Sequence, residues 1–144
     1  MDAVIGLDYG TVRVGVAVGD GRIGMAFART TLAAIPFTAL CDALRTIVRE
    51  EDARALVIGV PMRADGSEGD AAIAVRAWGE RVAEALGVPA HYVDEGLTSE
   101  AVRTRRRASG RRQTPRSGGV SLDAEAAQMI LQQYFDEHVR ASRS

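Results

Sequence analysis

Three acidic residues stand where a charge needs a reason. Asp8 closes the apolar run Val4-Ile5-Gly6-Leu7 and is followed at once by Tyr9-Gly10-Thr11. A run of β-formers belongs in a sheet core, where an unpaired charge is expensive to bury. An Asp at the point where that strand runs out, beside a permissive Gly, is aimed at something that can hold it: a metal ion, a capping interaction or an ion pair. Glu95 directly follows a second short strand, Ala90-His91-Tyr92-Val93-Asp94. Strand ends are where α/β sheets build their sites. Asp123 opens a helix whose apolar stripe runs Ala127, Ile130, Tyr134, flanked by Ala126, Leu131 and Phe135. One turn back from Ala127 the stripe reaches Asp123, so its carboxylate points along the buried face; favourable opposition to the helix dipole is the structural alternative. Glu125 and Asp136 fall off the stripe and read as solvated.

Three carboxylates brought to one point repel each other unless divalent cations lie between them. Hard oxygen donors select Mg²⁺ or Mn²⁺ over zinc. Two such ions can clamp a phosphodiester, one activating water and the other stabilising the leaving oxygen. That chemistry needs no nucleophilic side chain, and the chain offers no convincing one. His91 lies inside a strand and His138 at a helix end, both poorly placed for a triad.

The elements that must position these acids can be read in order. Residues 4–8, 13–18 and 22–28 form three consecutive strands, with Gly19-Asp20-Gly21 as hairpin turn chemistry. Gly15 and Gly24 mark close backbone approach or bends within them. Pro36 opens a helix to about Glu51, with Leu40, Leu44, Ile47 and Val48 as its stripe and Cys41 as a small buried neighbour. Ala55 to Pro61 is a continuous apolar run, a central parallel strand buried on both faces. Asp70 is the expected N-cap of a long helix with stripe Ala71, Val75, Trp78, Val82, Leu86, closed by Gly87. Thr98 is the expected N-cap of a helix running into the Arg-rich stretch, residues 110–119 read as a mobile polar loop, and Ser121 to about Val139 as the last helix. The tail, 140–144, reads as frayed. The pattern βββ-α-β-α-β-α-α describes a mixed sheet covered by helices, an α/β fold, in one domain spanning 1–144.

Charge is unevenly spread. All 18 basic residues are Arg, and seven of them fall within residues 101–117, which contain no acid. The rest carries 11 Arg against 19 acids, a local charge of −8. An acidic body with one concentrated basic segment, about 103–119, suggests a polyanion docked at one place through Arg–phosphate contacts; an Arg-rich surface loop is the alternative. With a single cysteine, Cys41, there is neither an intramolecular disulfide nor a Cys cluster for zinc. The N-terminus lacks a basic signal-like segment and no apolar run approaches membrane-spanning length, so the expected compartment is the cytoplasm.

Four blocks resemble, in order, the YqgF/RuvX family of bacterial nucleases with the ribonuclease H fold. They are Gly6-Leu7-Asp8-Tyr9-Gly10 with Arg13-Val14-Gly15-Val16-Ala17; Val57 to Met62 with Asp65 to Gly69; Val93-Asp94-Glu95 with Leu97-Thr98-Ser99; and Asp123 to Ala127 with Ile130, Leu131 and Tyr134. The resemblance implies a ribonuclease H-like mixed five-stranded sheet in the order 3-2-1-4-5, flanked by helices. It also implies an acidic site at Asp8, Glu95 and Asp123, the trio selected above. It implies a nuclease maturing the 5′ end of pre-16S rRNA; the same family has been proposed, by analogy with RuvC, as Holliday junction resolvases in DNA recombination. Candidate nucleic-acid contacts are Arg13 in the opening block and Arg103, Arg105, Arg106, Arg107, Arg111, Arg112 and Arg116 in the basic segment. One departure stands out: the family places Arg directly after the glutamate of its third block, where this chain has Gly96. The phosphate contact expected there would fall to Arg103 or the 105–107 cluster.

Two other classes compete. Asp8-Tyr9-Gly10-Thr11 also resembles the first phosphate motif of the actin, sugar-kinase and chaperone ATPases, which share the topology. Those enzymes close two lobes around a nucleotide, and 144 residues supply one. A non-catalytic nucleic-acid-binding module would keep the Arg segment and have no use for three converging acids. A junction resolvase would require a homodimer, because two symmetric cuts need two sites.

Overall fold

The computed structural model describes residues 3–95 and 122–143, with side chains through residue 138. Five strands form one sheet in the order β3-β2-β1-β4-β5. The strands are β1 (Ala3–Asp8), β2 (Arg13–Asp20), β3 (Met25–Ala33), β4 (Ala53–Val60) and β5 (Ala90–Asp94). The helices are α1 (Phe37–Glu51), α2 (Asp70–Leu86) and α3 (Leu122–Arg143). β1 is central, antiparallel to β2 and parallel to β4, and β5 extends the parallel side. This is the expected mixed sheet in the expected order.

Strand alternation sorts β1 between two cores. Ile5 and Leu7 point to one face and pack with Leu40, Leu44 and Ile47 of α1 and with Val75, Trp78 and Val82 of α2. Val4 points to the other, with Ala17, Val57 and Val93 from neighbouring strands and Ala127, Ile130, Leu131 and Phe135 of α3. Residues two apart share a face, so Gly6 and Asp8 look toward α3 with Val4. Gly6 is small by necessity: a Cβ there would sit 2.8 Å from Leu131 Cβ and 3.0 Å from the Ala127 carbonyl oxygen. α3 therefore lies almost on the backbone of the central strand. β4 is buried continuously from Leu56 to Val60, as a central parallel strand should be.

α3 also closes the open edge of the sheet. Gln132 accepts from the Ala26 N–H at 2.9 Å and donates to the Gly24 carbonyl at 2.8 Å, and Gln128 donates to the Ala26 carbonyl at 2.9 Å. The start of β3 thus has side-chain partners in place of a further strand.

Several elements differ from expectation for identifiable reasons. The hairpin turn occupies residues 21–24, closed by Gly24 N–H to the Asp20 carbonyl and Arg22 N–H to Asp20 Oδ1, with Gly24 at φ 68°. The third strand accordingly begins at Met25 rather than Arg22 and continues to Ala33, paired along β2. Gly69, not Asp70, is the N-cap of α2, in extended conformation and with no side-chain cap; Asp70 sits in the first turn, opposing the dipole. Ala72 is buried in place of Ala71, standing three residues before Val75 on the face that also buries Trp78, Gly79 and Val82. α3 continues through Arg143, so the helical backbone includes most of the tail expected to fray. Cys41 is buried, and burial pushes its thiol pKa up, in keeping with a packing role. The expected helix after Thr98 and the 110–119 loop lie outside the described residues.

Candidate active site

The carboxyl ends of β1, β4 and β5 and the N-terminus of α3 meet at one end of the sheet. Asp8 is the last residue of β1, half-buried, and is paired across the strands with Gly15 of β2. On its other side Leu7 pairs with Ile58, which makes Gly59 the neighbour of Asp8 on β4. Tyr9, the next residue, turns to the opposite side of the sheet and packs on Trp78 of α2, ring centroids 4.6 Å apart. Tyr9 on one face and Asp8 on the other is the pleat of β1 carried one residue further.

Glu95 extends the same logic from β5. Val93 belongs to the α3-facing core, and Glu95, two residues on, shares its face. The Glu95 N–H donates to the Val60 carbonyl at 3.2 Å, so β5 stays paired with β4 one residue past its end. Among the described residues Glu95 is the one charged side chain that is buried, 9% exposed. Its carboxylate lies over Gly59: a Cβ on Gly59 would collide with Glu95 Oε2 and come within 2.6 Å of Ile130 Cδ1. Gln133 of α3 donates to the Asp94 carbonyl at 2.8 Å and pins the strand end beside it.

Asp123 arrives from above. Its backbone carbonyl rests on Gly15, where any Cβ would overlap it. Since Gly15 is the residue opposite Asp8, the first turn of α3 stands over the strand pair that carries Asp8. The Asp123 side chain is 23% exposed, consistent with the buried stripe, and its Oδ2 accepts from Arg13 Nε at 3.1 Å.

Asp8, Glu95 and Asp123 thus share one face and one end of the sheet, with a glycine on each side of Asp8 making room for the other two. Their carboxylates are not yet gathered: among the described residues no three His, Cys, Asp or Glu side chains stand close enough together to hold a metal ion. The donor chemistry nonetheless fits a hard divalent cation, being all carboxylate oxygen, and the bare backbone at Gly15 and Gly59 lets the Asp123 turn and the Glu95 carboxylate come down against the strands beside Asp8. Arg13 stands at the site. Arg103, Arg105, Arg106, Arg107, Arg111, Arg112 and Arg116 lie outside the described residues. The histidines stand apart, His91 with its ring 5.7 Å from Tyr134 and His138 with Nδ1 at 2.8 Å from the Tyr134 carbonyl.

Two kinds of residue escape a reading of the acids alone. Gly59 gives a signal, a glycine inside a run of β-branched and aliphatic residues, which in a strand marks close approach. Gln133 gives none, because a Gln flanking a helix stripe is ordinarily solvated.

A family model described as "RuvX: Holliday junction resolvase" matches residues 2–137. A protein of Gloeothece citriformis is 39% identical over 135 residues, 94% of this chain and 88% of that protein. A protein of an Anaeromyxobacter strain is 37% identical over 132 residues, covering 92% and 95%. Both are named as candidate nucleases of pre-16S rRNA. Among solved structures, RuvC of Thermus thermophilus in complex with a Holliday junction substrate superposes with a TM-score of 0.56 at 15% identity, covering 96% of each chain. That likeness establishes a ribonuclease H-like fold for this chain.

Proposed function

We propose that this chain, which belongs to the RuvX family, is a divalent-metal-dependent nuclease that hydrolyses phosphodiester bonds of structured nucleic acid. Its proposed substrate is the 5′ end of pre-16S rRNA, the activity named for the relatives, and residues 1–144 act as one nuclease domain. The observation that carries the reading is the placement of Asp8, Glu95 and Asp123 on the α3 face at one strand end, around two glycines that leave space for them. Carboxylates that share one end of a sheet repel one another, and a divalent cation among them would offset that repulsion.

Asp8, Glu95 and Asp123 would hold Mg²⁺ or Mn²⁺, in a pair. When bound, the ions supply Lewis acidity toward a phosphodiester and acidify water. The protein's part is placement. β1, braced by Tyr9 on Trp78, fixes Asp8. The buried setting of Glu95 lowers the local dielectric and strengthens each charge interaction there. The packing of α3 on Gly6 and Gly15 sets the height of Asp123 above the sheet. Arg13 at the rim suits a phosphate oxygen, since a guanidinium binds phosphate through paired N–H donors. The seven Arg of residues 101–117 supply the counter-charge for the rest of the polyanion. Among the described residues no helix is long and apolar enough to cross a membrane, and the cytoplasm is the compartment where such a substrate is met.

The second reading is a Holliday junction resolvase acting as a homodimer, favoured by the description of the family model and by the fold shared with a junction-bound RuvC. The two separate in one assay: protein with Mg²⁺ or Mn²⁺ offered structured RNA bearing the pre-16S 5′ flank, a four-way DNA junction, duplex and single strands. Preferential cleavage of the RNA supports the first reading. Paired symmetric cuts in the junction support the second. Binding without cleavage of any substrate would leave only a binding module.

A further inference from the structure

The three acids share an end of the sheet without being gathered, and the structure gives one reason. The Asp123 carboxylate is turned to Arg13, Nε to Oδ2 3.1 Å. Arg13 is the first residue of β2, its backbone fixed by pairing with Ala33, while its side chain is 64% exposed. Among the described residues Asp123 is the one protein partner of that guanidinium. We propose that Arg13 is a latch on the candidate ligand set: it holds the Asp123 carboxylate in an ion pair until a phosphate of the substrate takes the guanidinium over. The inference rests on the nuclease reading and adds to it an order of events, in which nucleic acid completes the site for the cation.

The physical case is one of exchange between similar strengths. An ion pair with one partner this exposed is weakly held, so the latch opens at little cost. A phosphodiester oxygen offers Arg13 another anion, and turning the guanidinium to present paired N–H donors to it gives up the Nε contact with Asp123. Once Arg13 turns to phosphate, the Asp123 carboxylate, carried by the helix turn that rests on Gly15, loses that positive charge, and a cation can take its place. By linkage, whatever nucleic acid gains from a released Arg13, the cation gains from a released Asp123, and each tightens the other. Metal bound without substrate must first break the pair. This disfavours idle loading of the site, and Lys would be a poorer latch than the planar fork of Arg.

The test uses binding, not turnover. Mn²⁺ affinity is measured on the full chain without nucleic acid for wild type, Arg13→Gln, Asp123→Asn and the double variant, with circular dichroism to confirm folding. The latch predicts roughly two- to fivefold tighter Mn²⁺ for Arg13→Gln, and loss of that gain in the Asp123→Asn background. A gain that persists there is the generic effect of removing a positive charge and overturns the latch, as does unchanged or weaker binding. In the presence of EDTA, Asp123→Asn should tighten a structured RNA hairpin roughly two- to fivefold, and only when Arg13 is present. Equal gains with and without Arg13 are additive and contradict the exchange. Failure of the nuclease reading is seen separately: Mn²⁺ binding that survives Asp8→Asn places the cation elsewhere, whatever Arg13 does.

Discussion

The placement of Asp8, Glu95 and Asp123 depends on small residues beside them. Gly15 and Gly59 flank Asp8 across the sheet, and each occupies a position where a methyl group has no room. At Gly59 the obstructing atoms are the end of the Glu95 side chain and the tip of Ile130, both able to move. Gly59→Ala should therefore fold, at a cost of about 1–3 kcal/mol for overpacking, while displacing the Glu95 carboxylate. Cleavage should fall by on the order of 10²-fold, the scale of an ångström-sized misplacement; unaltered kcat with a lowered Tm would mean that Glu95 is not part of the site. At Gly15 the obstruction is main chain, the carbonyl of Asp123 itself, so the same substitution there costs the docking of α3. The acids are legible in the sequence because charge at the end of an apolar strand, or on a helix stripe, is visible in one dimension. Gly15 is legible as a close approach, though what approaches it is not. Gln133 is illegible, since its value lies in a hydrogen bond to Asp94, 39 residues away.

At the level of elements, each acid depends on how its strand or helix is anchored. β5 is a short edge strand, held by pairing with β4 and by Tyr92 against α2. The Tyr92 hydroxyl donates to Glu80 at 2.5 Å, and the Arg76 guanidinium lies 4.9 Å over its ring. Burial, and then the hydrogen bond to Glu80, pushes the Tyr92 pKa up to about 12. The folded value lies above the ordinary tyrosine value of about 10. The stabilisation is therefore complete below about pH 10 and is lost as pH rises through 12. Tyr92→Phe should lower Tm at pH 8, and its deficit against wild type should shrink between pH 10 and 12; a deficit independent of pH would mean that the hydroxyl contributes only shape. Elements with strong periodicity, α1, β4 and the body of α3, are readable because apolar spacing records the face they bury. The boundaries that differ, the β2–β3 turn and the cap of α2, turn on backbone hydrogen bonds at Asp20–Gly24 and on the extended Gly69. Hydrophobic pattern does not encode those.

For the molecule as a whole, the sheet order matters most. β1 lies between β2 and β4, so residues distant in sequence, 8, 95 and 123, arrive at one end of one face. That order is implied by the family resemblance alone, since local pattern gives strands and not their neighbours. The charge asymmetry is the other whole-molecule property: residues 101–117 hold seven Arg and no acid, the remainder carries a net −8, and the Arg segment is accordingly the proposed docking place for a polyanion. Replacing Arg105, Arg106 and Arg107 together by Ala should weaken binding across sequences. It should also flatten the dependence of log K on log salt by about one for each phosphate no longer neutralised; an unchanged slope would remove the segment from the interface.

The most direct test of the central claim, that Asp8 anchors a metal-dependent nuclease site, is Asp8→Asn assayed side by side for cleavage and for binding. The substitution keeps the shape of the side chain and removes its charge. The account predicts that cleavage in Mg²⁺ or Mn²⁺ is abolished while the substrate is bound as tightly as by wild type or more so. Metal-dependent cleavage at the wild-type rate would contradict it.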